Sequence, residues 1–169
     1  MLAIHVRFPF AKRLWALLVL TALYKPEELN KQDGRRHRTL IDLAQGRVAT
    51  LVCWFPTREF ILLGDGGYAS HDLARFAHRH RRHLTLVRRF HAGANLYAPP
   101  PKRKGKKGGR GLLPVRWVFV HDLNSTHRDE SFYSTDPDLT PEQIVSLFTA
   151  RGSIEVTFQQ IRGGTDKGS

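Results

Sequence analysis

Apolar and polar positions along the first third of the chain predict a strand, a buried segment and a helix. Residues 3–8 alternate between apolar and polar side chains, which is typical of a strand. The apolar run at 14–24 is a buried helix or strand, and its Ala and Leu content favours a helix. The polar residues 24–38 predict a loop. Apolar residues then recur at helical spacing, which predicts a helix over 39–54.

The next segment predicts two parallel strands joined by a helix. Phe60–Leu63 is a short apolar run between Pro56 and Gly64, as expected of a strand that is buried on both faces. Ser70 can cap a helix that runs through "HDLARFAHRH", and the residues 83–90 predict another strand. A strand, a helix and a strand within about thirty residues form a crossover unit with a parallel sheet, so the predicted fold class is α/β.

The last third predicts a pair of strands followed by a helix. The segments "LLPVRWVFVHDL" and "ESFYSTD" form strands joined by a polar turn at 124–127. Thr140, Pro141 and Gln143 form a helix start, with a cap hydroxyl, a proline at the first helical position and a capping-box glutamine. The helix is predicted from about Pro141 to Arg162, before two glycines.

Composition indicates one domain that binds a polyanion. The chain has 169 residues, is 41% hydrophobic and 25% charged, and carries 27 Lys and Arg against 15 Asp and Glu. The formal net charge of +12 points to a nucleic acid or an anionic membrane. The Pro-, Gly- and Lys-rich stretch at about 91–111 cannot bury a core and is predicted to be a solvated basic loop within a single domain spanning 1–169.

The apolar run at 14–24 and the single cysteine give information on the cellular location of the protein. The run is shorter than the ~20 residues of a membrane span, so no membrane partner is expected. Lys12 and Arg13 before it resemble the start of a signal peptide, which leaves secretion as a minor alternative. One cysteine allows no internal disulfide and fits the cytoplasm. The apolar neighbours of Cys53 predict a core position, as they do for the three tryptophans, Trp15, Trp54 and Trp117.

The predicted last helix carries charged residues on the edge of its apolar face. Arg151, Glu155 and Arg162 fall on nearly one face at ~100° per residue. An ordinary surface pair between Arg151 and Glu155 explains the spacing by itself. Together with Phe148, however, the three residues form F-x-x-R-x-x-x-E-x-x-x-x-x-x-R. This pattern resembles the Tyr-Arg-Glu-Lys signature of bacterial insertion-sequence DDE transposases, with Phe for Tyr and Arg for Lys.

A second segment resembles the same family. "FILLGDGGYASHDLARFAHRHRRHLTLVRR" is similar to its second-aspartate segment, in which a buried strand ends in Gly-Asp-x-x-Tyr before a helix and a strand. The resemblance implies an RNase H-like mixed sheet flanked by helices, with Asp65 and Glu155 as catalytic, metal-binding carboxylates. Two carboxylates ~4 Å apart repel by about 4 kcal/mol at an effective dielectric near 20, which favours a bound cation. The hard oxygen ligands and the phosphate substrate imply Mg²⁺, with Mn²⁺ as a substitute.

The resemblance also implies DNA as the partner. Arg151 and Arg162 would contact DNA phosphates or orient the glutamate. The loop would add phosphate contacts that depend on salt and not on sequence. Its basic residues are Lys102, Arg103, Lys104, Lys106, Lys107 and Arg110. The glycines beside Asp65 would permit close approach of a metal or a phosphate.

The chain departs from the family pattern at the first of three carboxylates. The acids before Asp65 lie in a polar loop, on a helix or before a strand, and none is a credible replacement: they are Glu27, Glu28, Asp33, Asp42 and Glu59. The expectation is a transposase fragment without the first strand of the sheet, shortened inside and inactive. Two alternatives stay open: a non-catalytic basic DNA-binding protein, and a partner that associates with itself or with an intact transposase and inhibits it.

Overall fold

The computed structural model describes residues 2–7, 14–64, 70–90, 96–97, 112–124 and 128–150. Its elements follow in the order β1 (Leu2–Arg7), β2 (Leu14–Leu20), α1 (Glu27–Gln32), α2 (Leu40–Trp54), β3 (Phe60–Gly64), α3 (His71–Arg79), β4 (Leu84–Arg89), β5 (Arg116–Val120), β6 (Glu130–Ser134) and α4 (Pro141–Ala150). The chain divides into two compact units. The first holds Met1–Pro56 and Ser146–Ser169, and the second holds Thr57–Val145.

The first unit begins with two antiparallel strands. β1 confirms the predicted strand, and β2 pairs with it from Arg7↔Leu14 to Leu2↔Leu20, with a register shift between Leu2 and Ala3. The prediction that 14–24 favours a helix was therefore wrong. Pairing with β1 supplies backbone hydrogen bonds along the whole of β2, and such a long-range partner outweighs the weak helical preference of Ala and Leu.

Two helices follow in the first unit. The predicted polar loop contains the short helix α1, in which Glu27 and Glu28 lie in the first turn and Lys31 in the last. These charges match the helix dipole, and the Glu27 and Lys31 side chains form an ion pair at 2.9 Å. The helix predicted over 39–54 is confirmed as α2, which starts with a capping box between Thr39 and Asp42.

Two residues near the end of α2 lie outside the core. Val48 and Leu51 are buried, whereas Cys53 is exposed and Trp54 is 57% exposed. The prediction of core positions was thus wrong for Cys53 and Trp54. Cys53 lies about 200° around the helix from Leu51 and so on the opposite face. Trp54 lies only about 60° from Leu51, but it is the last residue of α2.

The second unit is a mixed four-stranded sheet in the order β3-β4-β6-β5. β3 and β4 are parallel, and α3 connects them and packs on β4, as the sequence predicted. Ser70 caps α3 by accepting a hydrogen bond from the Asp72 backbone N–H at 3.1 Å. β3 pairs only with β4 among the described residues, and Ile61 is 47% exposed. The sequence predicted that β3 is buried on both faces, and this prediction was wrong at Ile61.

β6 joins the parallel pair to the edge strand β5 by antiparallel ladders on both sides. The core of this unit comprises residues from α3, β4, β5, β6 and α4: Leu73, Ala74, Phe76, Ala77, Leu84, Leu86, Val87, Val118, Phe132 and Ile144. The predicted strand pair is confirmed. Trp117 is 46% exposed, so its predicted core position was wrong.

The start of α4 confirms the predicted capping box. The Thr140 backbone N–H donates to Gln143 Oε1 at 2.8 Å, and the Gln143 backbone N–H donates to Thr140 Oγ1 at 3.3 Å. Ile144 and Phe148 are buried. The predicted continuation to residue 162 lies outside the described residues. No helix in the described ranges combines the length and the hydropathy that crossing a membrane requires.

Candidate functional site

The carboxyl end of β3 leads directly into the first predicted catalytic position. β3 ends at the buried Gly64, and Asp65 is the next residue in the chain. The structure does not describe residues 65–69, 98–111 or 151–169. The roles predicted for residues in these ranges therefore stay predictions: Asp65, Glu155, Arg151, Arg162, Lys102, Arg103, Lys104, Lys106, Lys107 and Arg110.

Gly64 leaves room for a side chain. A Cβ atom built on it would lie 3.8 Å from Arg88 Cβ and 4.0 Å from Leu86 Cδ1 among the described residues, which are ordinary van der Waals distances. The packing of β3 against β4 therefore does not require a glycine here.

A row of four register partners crosses the sheet from this position. Gly64 on β3 lies opposite Arg88 on β4, Arg88 lies opposite Tyr133 on β6, and Tyr133 lies opposite Trp117 on β5. Residues directly opposite each other project from the same face of a sheet. At ~4.8 Å between neighbouring strands, the row extends over about 14 Å.

Arg88 places a permanent positive charge inside this row. Its side chain is only 1% exposed, and its Nε donates to the Arg89 carbonyl oxygen at 3.3 Å. A guanidinium stays charged at any ordinary pH, and burying one is costly unless hydrogen bonds compensate. The charge lies on the strand beside Gly64, at the end of β3 from which Asp65 continues. A cation there favours an ionised carboxylate and attracts phosphate.

Tyr133 is the hydrogen-bond partner of Arg88 in the row. Burial raises the pKa of the Tyr133 hydroxyl, and the hydrogen bond and positive charge of Arg88 partly oppose that rise. The Tyr133 ring also meets Phe90 edge to face, with 5.1 Å between the ring centroids. The hydroxyl is therefore neutral at ordinary pH and accepts a hydrogen bond from Arg88.

Three of the five acids that precede Asp65 form ion pairs or a helix cap. None of the five lies on β1, β2 or β3. Asp33 pairs with Lys25, and Glu27 pairs with Lys31, which lowers the pKa of Glu27. Hydrogen bonds from the Thr39 backbone and hydroxyl lower the pKa of Asp42 in its capping box. That none of these acids replaces the first carboxylate of the family pattern stays a prediction.

The described ranges contain no group of three or more His, Cys, Asp or Glu residues that could hold a metal ion. Two neighbouring acids where β6 begins each form an ion pair. Asp129 pairs with His121, with 2.7 Å between Oδ1 and Nδ1, and Glu130 pairs with Arg89. Both predicted carboxylates, Asp65 and Glu155, lie outside the described ranges.

A basic cleft of about 720 Å³ lies within the first unit. Its lining comes from the segment after β2, from α1, from the segment between α1 and α2, and from the first half of α2. The cationic side chains are Lys25, Arg35, Arg36, Arg38 and Arg47, with His37 and Asp42 also in the lining. Such an excess of positive charge suits a phosphate backbone. The sequence shows the basic run at 35–38 but not that it lines a cleft.

Sequence reasoning missed Arg88 and the exposed aromatic residues of β5. The signal for Arg88 was weak but present, since Arg88 continues the alternation of Leu84 and Leu86 along β4 and so falls on the same face. Trp117 and Phe119 also alternate, but an apolar strand gives no sign of which of its faces the fold leaves open.

A family model described as transposase DDE domain matches residues 20–164, which is most of the chain. Neither a curated protein nor a solved structure gives a significant match. The mixed α/β architecture of the second unit is compatible with the RNase H-like sheet of that family.

Proposed function

The chain belongs to the transposase DDE domain family, whose domains act in DNA cleavage during transposition, and on this premise we propose that it binds DNA through its basic surfaces. We also propose that Asp65 and Glu155 are two carboxylates of a metal-dependent centre for phosphodiester cleavage. The observation that carries the proposal is the match over residues 20–164, which includes both carboxylates and the crossover unit around the first.

The described part of the site supports this role for Asp65. The parallel pair β3 and β4 brings the chain to the carboxyl edge of the sheet at Gly64, where ligand sites of parallel α/β units are found. The buried Arg88 lies opposite Gly64 and contributes a fixed positive charge. This charge favours the ionised form of a neighbouring carboxylate and attracts a DNA phosphate.

Carboxylate oxygens are the ligands that Mg²⁺ prefers, so the donor chemistry of Asp65 and Glu155 fits that ion, with Mn²⁺ as a substitute. A bound Mg²⁺ would supply activation of a water or a 3′ hydroxyl and stabilisation of the leaving oxygen. Arg151 and Arg162 would contact DNA phosphates or orient Glu155. The lysines and arginines between Lys102 and Arg110 would hold the backbone without reading its sequence.

The chain by itself is proposed to bind DNA without efficient cleavage. The family resemblance implies three carboxylates, and no acid before Asp65 lies on a described strand. With two carboxylates the affinity for Mg²⁺ is low and the ion is poorly positioned. A nicking assay on supercoiled DNA with Mg²⁺ tests this. The expected result is no nicking, and robust nicking that is lost in both Asp65→Ala and Glu155→Gln would overturn the proposed inactivity.

Binding measurements separate the proposal from its alternatives. Calorimetric titration with Mn²⁺ should give weak binding that disappears in Asp65→Ala and in Glu155→Gln, whereas Glu59→Gln should bind as the unaltered chain does. Equal binding by all four proteins would favour a non-catalytic DNA-binding protein. If the chain inhibits an intact transposase, adding it to a transposition reaction should lower the product yield, and an unchanged yield removes that alternative.

A further inference from the structure

An exposed row of rings follows the edge strand β5. Trp117 and Phe119 alternate along the strand and are 46% and 52% exposed, and His121 follows at the same spacing. The ring centroids of Trp117 and Phe119 are 6.3 Å apart, with the planes tilted by 32°. The rings of Phe119 and His121 are stacked, with 6.5 Å between their centroids and 12° between their planes.

The core does not explain this row. Val118, between the two aromatic residues, is buried and lies opposite the buried Phe132, so the other face of β5 supplies the packing contacts. Strands with one solvated face normally place polar residues there. A tryptophan and a phenylalanine side by side on that face form an open apolar surface, and such surfaces mark binding sites.

The third ring is held in place by a hydrogen bond. His121 Nδ1 and Asp129 Oδ1 are 2.7 Å apart, which fixes the orientation of the imidazole against Phe119. The three rings therefore present a partly ordered surface before any ligand arrives. Preorganised aromatic surfaces lose little side-chain entropy on binding.

Charge around the row favours an anionic ligand. Arg128 is exposed before β6, next to the Asp129 that pairs with His121, whereas Arg116 projects from the opposite face of β5. Trp117 also begins the cross-sheet row that passes through Tyr133 to the buried Arg88. The formal net charge of the whole chain is +12. Aromatic rings beside cationic side chains are the combination by which proteins hold single-stranded nucleic acid, because bases stack on the rings while the cations meet the phosphates.

We propose that Trp117, Phe119 and His121 form a stacking platform for unpaired bases of DNA. The ligand class is a single strand, or the frayed end of a duplex, because bases that are stacked within a closed duplex cannot reach the rings. This inference rests on the proposed DNA binding and adds a site on β5, formed by residues other than the predicted carboxylates. It predicts a preference for DNA that carries unpaired bases.

Fluorescence anisotropy with a labelled oligothymidylate and a blunt duplex of equal length tests the platform. Stacking contributes roughly a five- to hundredfold gain in affinity per base, so Trp117→Ala and Phe119→Ala should each weaken single-strand binding by a factor in that range. Duplex binding should change less than about twofold, because phosphate contacts dominate it. Trp117→Phe should retain most of the affinity. Trp54→Ala is the matched control, since Trp54 is also exposed but lies on α2.

The possible results separate this inference from the proposed function. If the unaltered chain binds neither DNA, the proposed function fails. If it binds both but Trp117→Ala and Phe119→Ala leave single-strand affinity unchanged, the platform is wrong and the proposed function stands. The platform is also wrong if size-exclusion chromatography shows that Trp117→Ala dissociates a dimer while single-strand affinity is kept, because the rings then contact a second copy. Circular dichroism confirms that each variant is folded.

Discussion

At the residue scale, one arginine determines the electrostatics of the sheet beside the first predicted carboxylate. Arg88 is almost fully buried and is hydrogen-bonded to Tyr133 across the ladder between β4 and β6. A neutral side chain at this position would remove the fixed charge and leave the Tyr133 hydroxyl without its donor. Both the stability of the sheet and the charge at its carboxyl edge therefore depend on Arg88.

Replacing Arg88 should destabilise the protein. Arg88→Met keeps much of the volume but removes every donor, so the free energy of unfolding should fall by about 1–3 kcal/mol, the usual cost of a buried polar group left unsatisfied. Urea denaturation followed by circular dichroism measures this. Arg75→Ala, at an exposed position on α3, should change stability by less than about 0.5 kcal/mol. Equal decreases in the two variants would contradict the structural role of Arg88.

Tyr133 should make the protein sensitive to alkali. Its folded-state pKa is raised by burial, so on raising the pH the unfolded chain releases this proton first. The contribution is fully present below the ordinary tyrosine pKa and is lost as the pH rises through the folded value. Between about pH 9 and about pH 11 the urea midpoint should fall more for the unaltered chain than for Tyr133→Phe. Parallel declines in both proteins would refute the assignment.

At the element scale, the structure follows the sequence wherever an element is determined by local chemistry. The helices that begin at capping boxes were predicted at their observed starts, because the cap contacts span only three residues. The strand conformation of β2 was not predicted, since it depends on pairing with β1. The exposure of Trp54 and Trp117 depends on where other elements pack, which an apolar run does not reveal. The spacing of the two carboxylate motifs indicated the family, but the position of Arg88 emerged only from strand register.

The cap of α4 offers a direct test of whether contacts between residues close in sequence stabilise the start of a helix. Thr140→Ala removes the hydroxyl that accepts from the Gln143 backbone N–H, so the free energy of unfolding should fall by about 1 kcal/mol. Thr140→Ser should retain nearly all of it. Thr149→Ala, on the exposed side of α4, is the control and should have a smaller effect. Thermal denaturation gives the ranking, and a Thr140→Ala midpoint equal to that of the control would show that the cap does not stabilise the helix.

The end of β3 provides a test that separates folding from ligand contact. The space at Gly64 accommodates a methyl group, and alanine lowers the entropy of the unfolded chain. Gly64→Ala should therefore leave the free energy of unfolding unchanged or raise it by up to about 1 kcal/mol. A decrease of more than about 1 kcal/mol, measured in urea, would show that β3 itself requires glycine. Retained stability with abolished Mn²⁺ binding would assign the glycine to the ligand.

At the scale of the whole molecule, the net charge of +12 is distributed over distinct surfaces. The basic cleft belongs to the first unit, whereas the aromatic row and Arg88 belong to the second. Positive charge spread evenly would attract DNA everywhere with similar strength. A cleft lined by several arginines concentrates the attraction, because its counterions and those of the DNA are released together.

The salt dependence of duplex binding should distinguish a localised cleft from general charge. The logarithm of the binding constant falls against the logarithm of salt concentration with a slope of about −0.9 per phosphate bound. Replacing the cleft residues Arg35, Arg36 and Arg38 by Ala should reduce the magnitude of that slope by about one for each phosphate that is no longer bound. The control is a variant in which Arg75, Arg79 and Arg82 are all replaced by Ala. These arginines are exposed on α3 or shortly after it, and replacing them removes the same amount of charge. Anisotropy titrations over a series of salt concentrations give both slopes. If the slope changes equally in the two triple variants, affinity follows net charge alone and the cleft is not a DNA-binding site; a change confined to the first variant places the DNA backbone in the cleft.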